Sequence, residues 1–140
     1  MTKSDLMSNY IKFIDWSKNV YGTKAEQFKA GRYNQIVLKK DPSKYPGFRV
    51  RNIVANGIVW SGSGTETTNT LPPVWEVVAA DPDENIFSIG FELSYGPFNY
   101  FAGGDLQYSG KSTYSWKDIE APVANVMTAV DAMKANHHGT

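Results

Sequence analysis

Cysteine is absent from the 140 residues, which excludes disulfides and thiolate metal sites. Any zinc would have to sit on His, Asp or Glu. Net charge is absent as well, because 14 Lys and Arg balance 14 Asp and Glu. The chain therefore carries no basic field of the kind that holds phosphate backbones, and no nucleic-acid partner is expected from bulk charge. No apolar run approaches the roughly 20 residues that a membrane helix needs. The start, Met1-Thr2-Lys3-Ser4-Asp5, lacks the apolar core of a secretory signal. No membrane partner is expected, and a cytoplasmic location follows only if Met1 is the true start. Histidine is scarce: two residues, side by side near the end.

What is present describes one folded domain, residues 1–140. Hydrophobic residues at 41% and aromatics at 14% are enough to build a core, so a disordered tail is excluded. Residues 4–20 are predicted as a helix capped by Ser4, with Leu6, Tyr10, Phe13, Ile14 and Val20 at helical spacing. Gly22 stops it, and a short helix is predicted over Lys24–Ala30.

Strand signals follow. Gln35–Leu38 is a short β-rich run closed by Asp41-Pro42, and Phe48–Val54 with Ile58–Trp60 reads as a hairpin around Asn56-Gly57. Ser61–Pro73 is predicted as an exposed loop and Val74–Ala80 as a return to strand. Ile86–Tyr95 and Phe98–Ala102 read as strands joined at Gly96-Pro97. Asp105–Trp116 is predicted as a loop, Lys117–Met127 as a helix with Pro122 fitting only in a first turn, and Ala129–Ala135 as a last strand. Strands followed by helix and strand imply mixed α/β layers.

Two motifs can carry chemistry. Phe101-Ala102-Gly103-Gly104-Asp105 ends an apolar strand in two glycines and a carboxylate, a pattern that presents Asp105 at a strand's carboxyl end. Asn136-His137-His138-Gly139 follows the last predicted strand. Adjacent side chains on an extended segment point to opposite sides, so one imidazole at most is expected to face a given metal. A carboxylate and an imidazole at two strand ends can converge on one cation. The competing readings are a turn aspartate and a polar chain end.

Other features carry less. Ser61-Gly62-Ser63-Gly64-Thr65 lacks the Gly-Lys-Ser/Thr ending of a phosphate loop, and Asp81-Pro82-Asp83-Glu84-Asn85 lacks calcium-loop spacing. The late aromatics read first as strand core, the weaker alternative being a stacking platform; among them Tyr108, Tyr114 and Trp116 are the better candidates for exposure, because their loop would border Asp105.

Glu84-Asn85-Ile86-Phe87-Ser88-Ile89-Gly90-Phe91, Tyr95 through Asp105, and Val130 through Thr140 together resemble the second half of metallo-β-lactamase-fold hydrolases, in the branch related to competence-protein hydrolase domains. There an Asn-x-x-Ser strand leads to Gly-Asp, and a later hydrophobic strand leads to His-His-Gly. The resemblance covers roughly residues 84–140, and residues 1–83 match less distinctly. It implies a partial metallo-β-lactamase-like α/β fold, an incomplete αββα sandwich of mixed sheet and flanking helices.

By the same resemblance Asp105 bridges two zinc ions, His138 is the metal-binding imidazole and His137 is the catalytic group beside the substrate. The parent activity implied is hydrolysis of a small-molecule ester or phosphoester by a metal-bound water. The family's His-x-His-x-Asp-His motif and a further histidine cannot be present in a chain with two histidines. The expectation is therefore a fragment of a zinc hydrolase, inactive alone, holding zinc weakly or not at all, and prone to association through exposed sheet edges. The alternative is a noncatalytic binding or assembly module on the same scaffold.

Overall fold

A computed structural model describes residues 3–80, 83–108 and 113–139. The chain is α/β, with one six-stranded mixed sheet and few helices. The strands are β1 (Arg49–Ala55), β2 (Ile58–Trp60), β3 (Thr67–Asn69), β4 (Gly90–Tyr95), β5 (Phe98–Ala102) and β6 (Ala132–Met133), in the spatial order β3-β2-β1-β4-β5-β6. Every neighbouring pair is antiparallel except the last, where β6 runs parallel to β5. The helices are α1 (Lys3–Tyr21), α2 (Val74–Ala79) and α3 (Glu120–Ala124). No helix among the described residues is long and apolar enough to cross a membrane.

The hairpin of β1 and β2 forms as its turn chemistry dictates. Asn56 and Gly57 have φ of 50° and 72°, the pair of positive values that a two-residue I′ turn requires. The core lies against β1, β2 and β5 and contains Ile53, Val54, Val59, Ile86, Phe101, Leu106, Ile119 and Val123. Ile86 comes from a 3₁₀ turn (Glu84–Phe87), and Leu106 from the segment just after β5. The core is therefore packed by the same two segments that flank Asp105.

Several elements differ from the sequence expectation, each for a visible reason. Residues 24–30 form no helix, because the chain there is engaged with β1. Gly31 N–H donates to Asn52 O at 2.8 Å and Asn52 N–H to Arg32 O at 2.8 Å. The buried Asn52 amide also donates to Lys29 O at 2.9 Å and Gln35 Oε1 at 2.8 Å. Gln35–Leu38 is consequently not a strand. Ile36, Val37 and Leu38 line a crevice with Tyr45 and Phe48 instead.

Val74–Ala79 is a helix, not a strand. Pro72-Pro73 fixes the entry in the extended conformation that suits the start of a helix. The loop predicted over Ser61–Pro73 contains the short edge strand β3. Ile86–Tyr95 divides into the 3₁₀ turn and β4, and Lys117–Met127 shrinks to α3, with Pro122 in its first turn and Asp118 Oδ1 accepting from Ala121 N–H at 3.0 Å.

Helix α1 begins at Lys3; the side chains of Lys3 and Ser4, including the expected cap, lie outside the described residues. Its apolar stripe is present but faces solvent, with Leu6, Tyr10 and Phe13 each more than half exposed. Asp81, Pro82, residues 109–112 and Thr140, which fall within three of the segments read above, also lie outside the described residues.

Candidate functional site

The parallel pairing of β5 and β6 decides where the two motifs go. Tyr100 and Phe101 sit opposite Ala132 and Met133, so both strands deliver their carboxyl ends to the same edge of the sheet. Hydrogen bonds extend this short ladder at each end: Asp131 N–H to Asn99 O and Lys134 N–H to Phe101 O, both at 2.9 Å. Loops after the carboxyl ends of parallel strands are the usual place for a site in α/β proteins.

After β5 the chain needs both glycines. A side chain at Gly103 would press on Asn136 Oδ1, Leu106 and Phe101, with its first carbon 2.5–2.9 Å from them. Gly104 turns the chain with φ at 62°, in the left-handed region. The turn brings Asp105 out at the edge, where its backbone N–H donates to Ser88 Oγ at 3.2 Å.

After β6 the expected extended conformation is replaced. His137 and His138 both adopt left-handed backbone, with φ of 42° and 59°, in a tight turn (Asn136–Gly139). The two rings are therefore not set on opposite sides of a strand; their centroids lie 5.9 Å apart. They still diverge in what they meet. His138 Nε2 stands 3.8 Å from Asp105 Oδ2, and His137 Nε2 lies 3.1 Å from Asn85 Nδ2. With the amide N–H as donor, Nε2 of His137 is the acceptor and the proton of a neutral ring sits on Nδ1.

The structure adds three residues to the site that motif reading did not assign: Asn85, Ser88 and Lys134. Asn85 and Ser88 lie three apart across a 3₁₀ turn, where i and i+3 side chains share one face. One reaches His137 and the other Asp105. That spacing is the legible signal for the pair. Asp83 caps the turn, its Oδ1 accepting from Asn85 N–H at 3.0 Å. Lys134 places Nζ 3.8 Å from Asp105 Oδ1 while donating to Gly104 O at 2.8 Å and Ala135 O at 3.2 Å.

An open cleft of about 680 Å³ adjoins this cluster, lined by Asp83, Glu84, Asn85, Ser88, Ile89, Gly104 and Asp105. The aromatic platform is divided. Tyr108 is exposed, whereas Trp116 packs against the core and stacks near Tyr114, 5.8 Å between ring centroids. Lys117 Nζ lies over both of those rings.

Among the described residues, no three His, Asp or Glu side chains converge on one point. Asp105 Oδ2 and His138 Nε2 form a pair only, 3.8 Å apart. Two ligands of a tetrahedral zinc, each about 2.0–2.1 Å from the ion, stand roughly 3.4 Å apart, close to the observed separation. Asp105 and His138 are 41% and 77% exposed as side chains, so water competes for their contact. Neither Asp105 oxygen accepts a hydrogen bond among the described residues.

No protein-family model, curated protein or solved structure matches the chain.

Proposed function

We propose that the Asp105–His138 edge is one part of a zinc-dependent hydrolytic centre of metallo-β-lactamase type, acting on a phosphoester or related ester. The remaining ligands are supplied by polypeptide outside these 140 residues. The observation that supports this reading is the convergence itself: two motifs 33 positions apart meet at 3.8 Å on adjacent parallel strand ends.

In this reading Asp105 and His138 hold the metal. Zinc, when bound, supplies a water acidified toward neutrality. Ser88 holds the Asp105 backbone in place, and Asn85 orients His137, which handles a proton at the substrate. The acidic cleft walls, Asp83 and Glu84, favour a cation there. The chain alone is inactive, since two donors leave a zinc ion half-liganded. The six strands form the part of an αββα sandwich that carries these motifs, and the open edges at β3 and β6 are where copies or the rest of the parent associate.

A noncatalytic module on the same scaffold is favoured instead by one observation, the Lys134 ammonium beside Asp105, which can satisfy the carboxylate without any metal.

Zinc titration by calorimetry on the chain and on Asp105→Ala and His138→Ala tests the first reading. Weak binding that both substitutions abolish supports it. Binding indifferent to Asp105→Ala leaves only a surface chelate of adjacent histidines and removes the proposal.

A further inference from the structure

Helix α1 stands apart from the core. None of its residues joins the buried cluster, and no side chain from residue 5 to residue 21 is buried. Its sequence is nonetheless patterned for burial. Leu6, Tyr10, Phe13, Ser17 and Val20 follow the alternating four- and three-residue spacing that keeps one seam of a helix against a partner helix. Met7, Ile11, Ile14, Lys18 and Tyr21 repeat that spacing one residue later, about 100° round the helix. Each seam is apolar save at its fourth position, and both exceptions are already engaged within the chain. Ser17 Oγ pairs with Thr23 Oγ1 at 2.8 Å, and Lys18 Nζ lies 3.4 Å from Asp15 Oδ1.

The area at stake matches an interface. Eight large apolar or aromatic side chains of α1 are each at least half exposed. With about 150–250 Å² on each of the larger ones, they leave on the order of 800 Å² uncovered. A standard interface takes about 800 Å² from each partner, whereas the largest apolar patch on a monomer is usually about 300–600 Å². Lipid fits this face less well. A helix lying on a membrane carries a polar side rich in Lys and Arg. Here three Lys stand against two Asp, and Asp15 holds Lys18. A lipid surface also has no use for two seams in seven-residue register, while another copy of the helix presents the matching seams.

We infer that α1 is a self-association element. Helices from separate copies of this chain bundle through both seams, each helix between two others, in an assembly of three or more. This contact is separate from the open sheet edges at β3 and β6, and it holds whatever the Asp105 edge binds.

Sedimentation velocity of the full chain over a range of concentrations is the test. The variants are Phe13→Glu in the first seam, Ile14→Glu in the second, and Ser8→Glu on the opposite, polar side. Amide NMR signals of β1, β4 and β5 check that the sheet stays folded in each, since α1 adds nothing to its core. Expected in the parent is a reversible assembly of three or more copies. Phe13→Glu and Ile14→Glu each raise the concentration of half-assembly by roughly a hundredfold, because a carboxylate in an apolar seam loses water without gaining a partner. Ser8→Glu adds the same charge outside the seams and stays within about twofold, as surface substitutions do.

A monomeric or dimeric parent overturns the inference, as does an assembly that either seam variant leaves intact. Assembly unmoved by both assigns association to the sheet edges instead. A parent that is monomeric alone but sediments with vesicles of phosphatidylcholine and phosphatidylglycerol overturns it in favour of a lipid surface.

Discussion

Asn85 and His137 stand 52 positions apart in sequence and 3.1 Å apart in space, amide nitrogen to ring nitrogen. The contact ties the 3₁₀ turn before β4 to the turn after β6, two segments that share no strand pairing. Asn85 also donates to Gln107 Oε1 at 3.4 Å, which draws in the segment after Asp105. One amide thus gathers three loops.

Asn85→Ala removes that tie. Loss of the hydrogen bonds should cost about 1–2 kcal/mol of stability, read as a lower urea midpoint at unchanged slope. The His137 ring signals should move in the NMR spectrum and those of His138 much less. Equal movement of both would show that Asn85 does not select between them.

The glycines before Asp105 should differ in cost. Gly103→Ala drives a methyl into Asn136, Leu106 and Phe101, a close-packing conflict of about 1–3 kcal/mol. Gly104→Ala meets nothing nearer than 3.2 Å and is penalised by its backbone, at roughly 1 kcal/mol. Thermal melts of the two variants check the order, and Gly104→Ala being the worse would contradict it.

Ile86 is fully buried in the core and sits inside the turn that presents Asn85 and Ser88. Ile86→Ala should lose about 2–5 kcal/mol through transfer and cavity terms together. Ile36→Ala, at a side chain 40% exposed, should lose much less. Chemical denaturation of both variants makes the comparison.

Arg51 fastens the β2–β3 loop. Its Nη1 donates to Gly31 O and Gly64 O, each at 2.7 Å, with the guanidinium over the Tyr33 and Trp60 rings at 5.0 and 4.6 Å. Burial, and then the neighbouring Arg49, hold its pKa below the ordinary guanidinium value. A base with a lowered folded pKa loses stability on protonation, but only near that pKa, far above neutrality. No pH dependence from Arg51 is therefore expected between pH 5 and 8, where unperturbed guanidinium is fully charged. Arg51→Lys should not rescue Arg51→Met, because an ammonium lacks the planar fork. Trp60 fluorescence reports both, and a native spectrum in Arg51→Lys would refute the point.

Sequence reading succeeded where local chemistry and tertiary structure agree. Asn56-Gly57 demands a tight hairpin and receives one. Gly103-Gly104-Asp105 demands a sharp exit from a strand, and β5 ends at Ala102. It failed where a distant partner decides. Lys24–Ala30 has ordinary helical composition, but Asn52 and Gln35 claim its backbone groups. Val74–Ala79 is rich in strand formers and becomes helical after the prolines that set its entry. The adjacent histidines were legible as candidates. Their left-handed backbone was not, since no local residue requires it; it follows from the path that the chain takes from Met133 past Asn136. Lys134 escaped notice because a single lysine on a predicted strand carries no spacing signal.

The pairing of β5 with β6 spans only two residues on each strand, yet it measures out the site. Asp105 lies four positions beyond Phe101, and His138 five beyond Met133, its partner across the ladder. Those short tails work like the two jaws of a caliper whose zero is the ladder. The excursion between them is anchored as well, since Ile119 and Val123 pack in the core and Glu120 Oε1 accepts from the Asn136 amide at 2.9 Å. A single residue gained or lost between Met133 and His138 resets the gap.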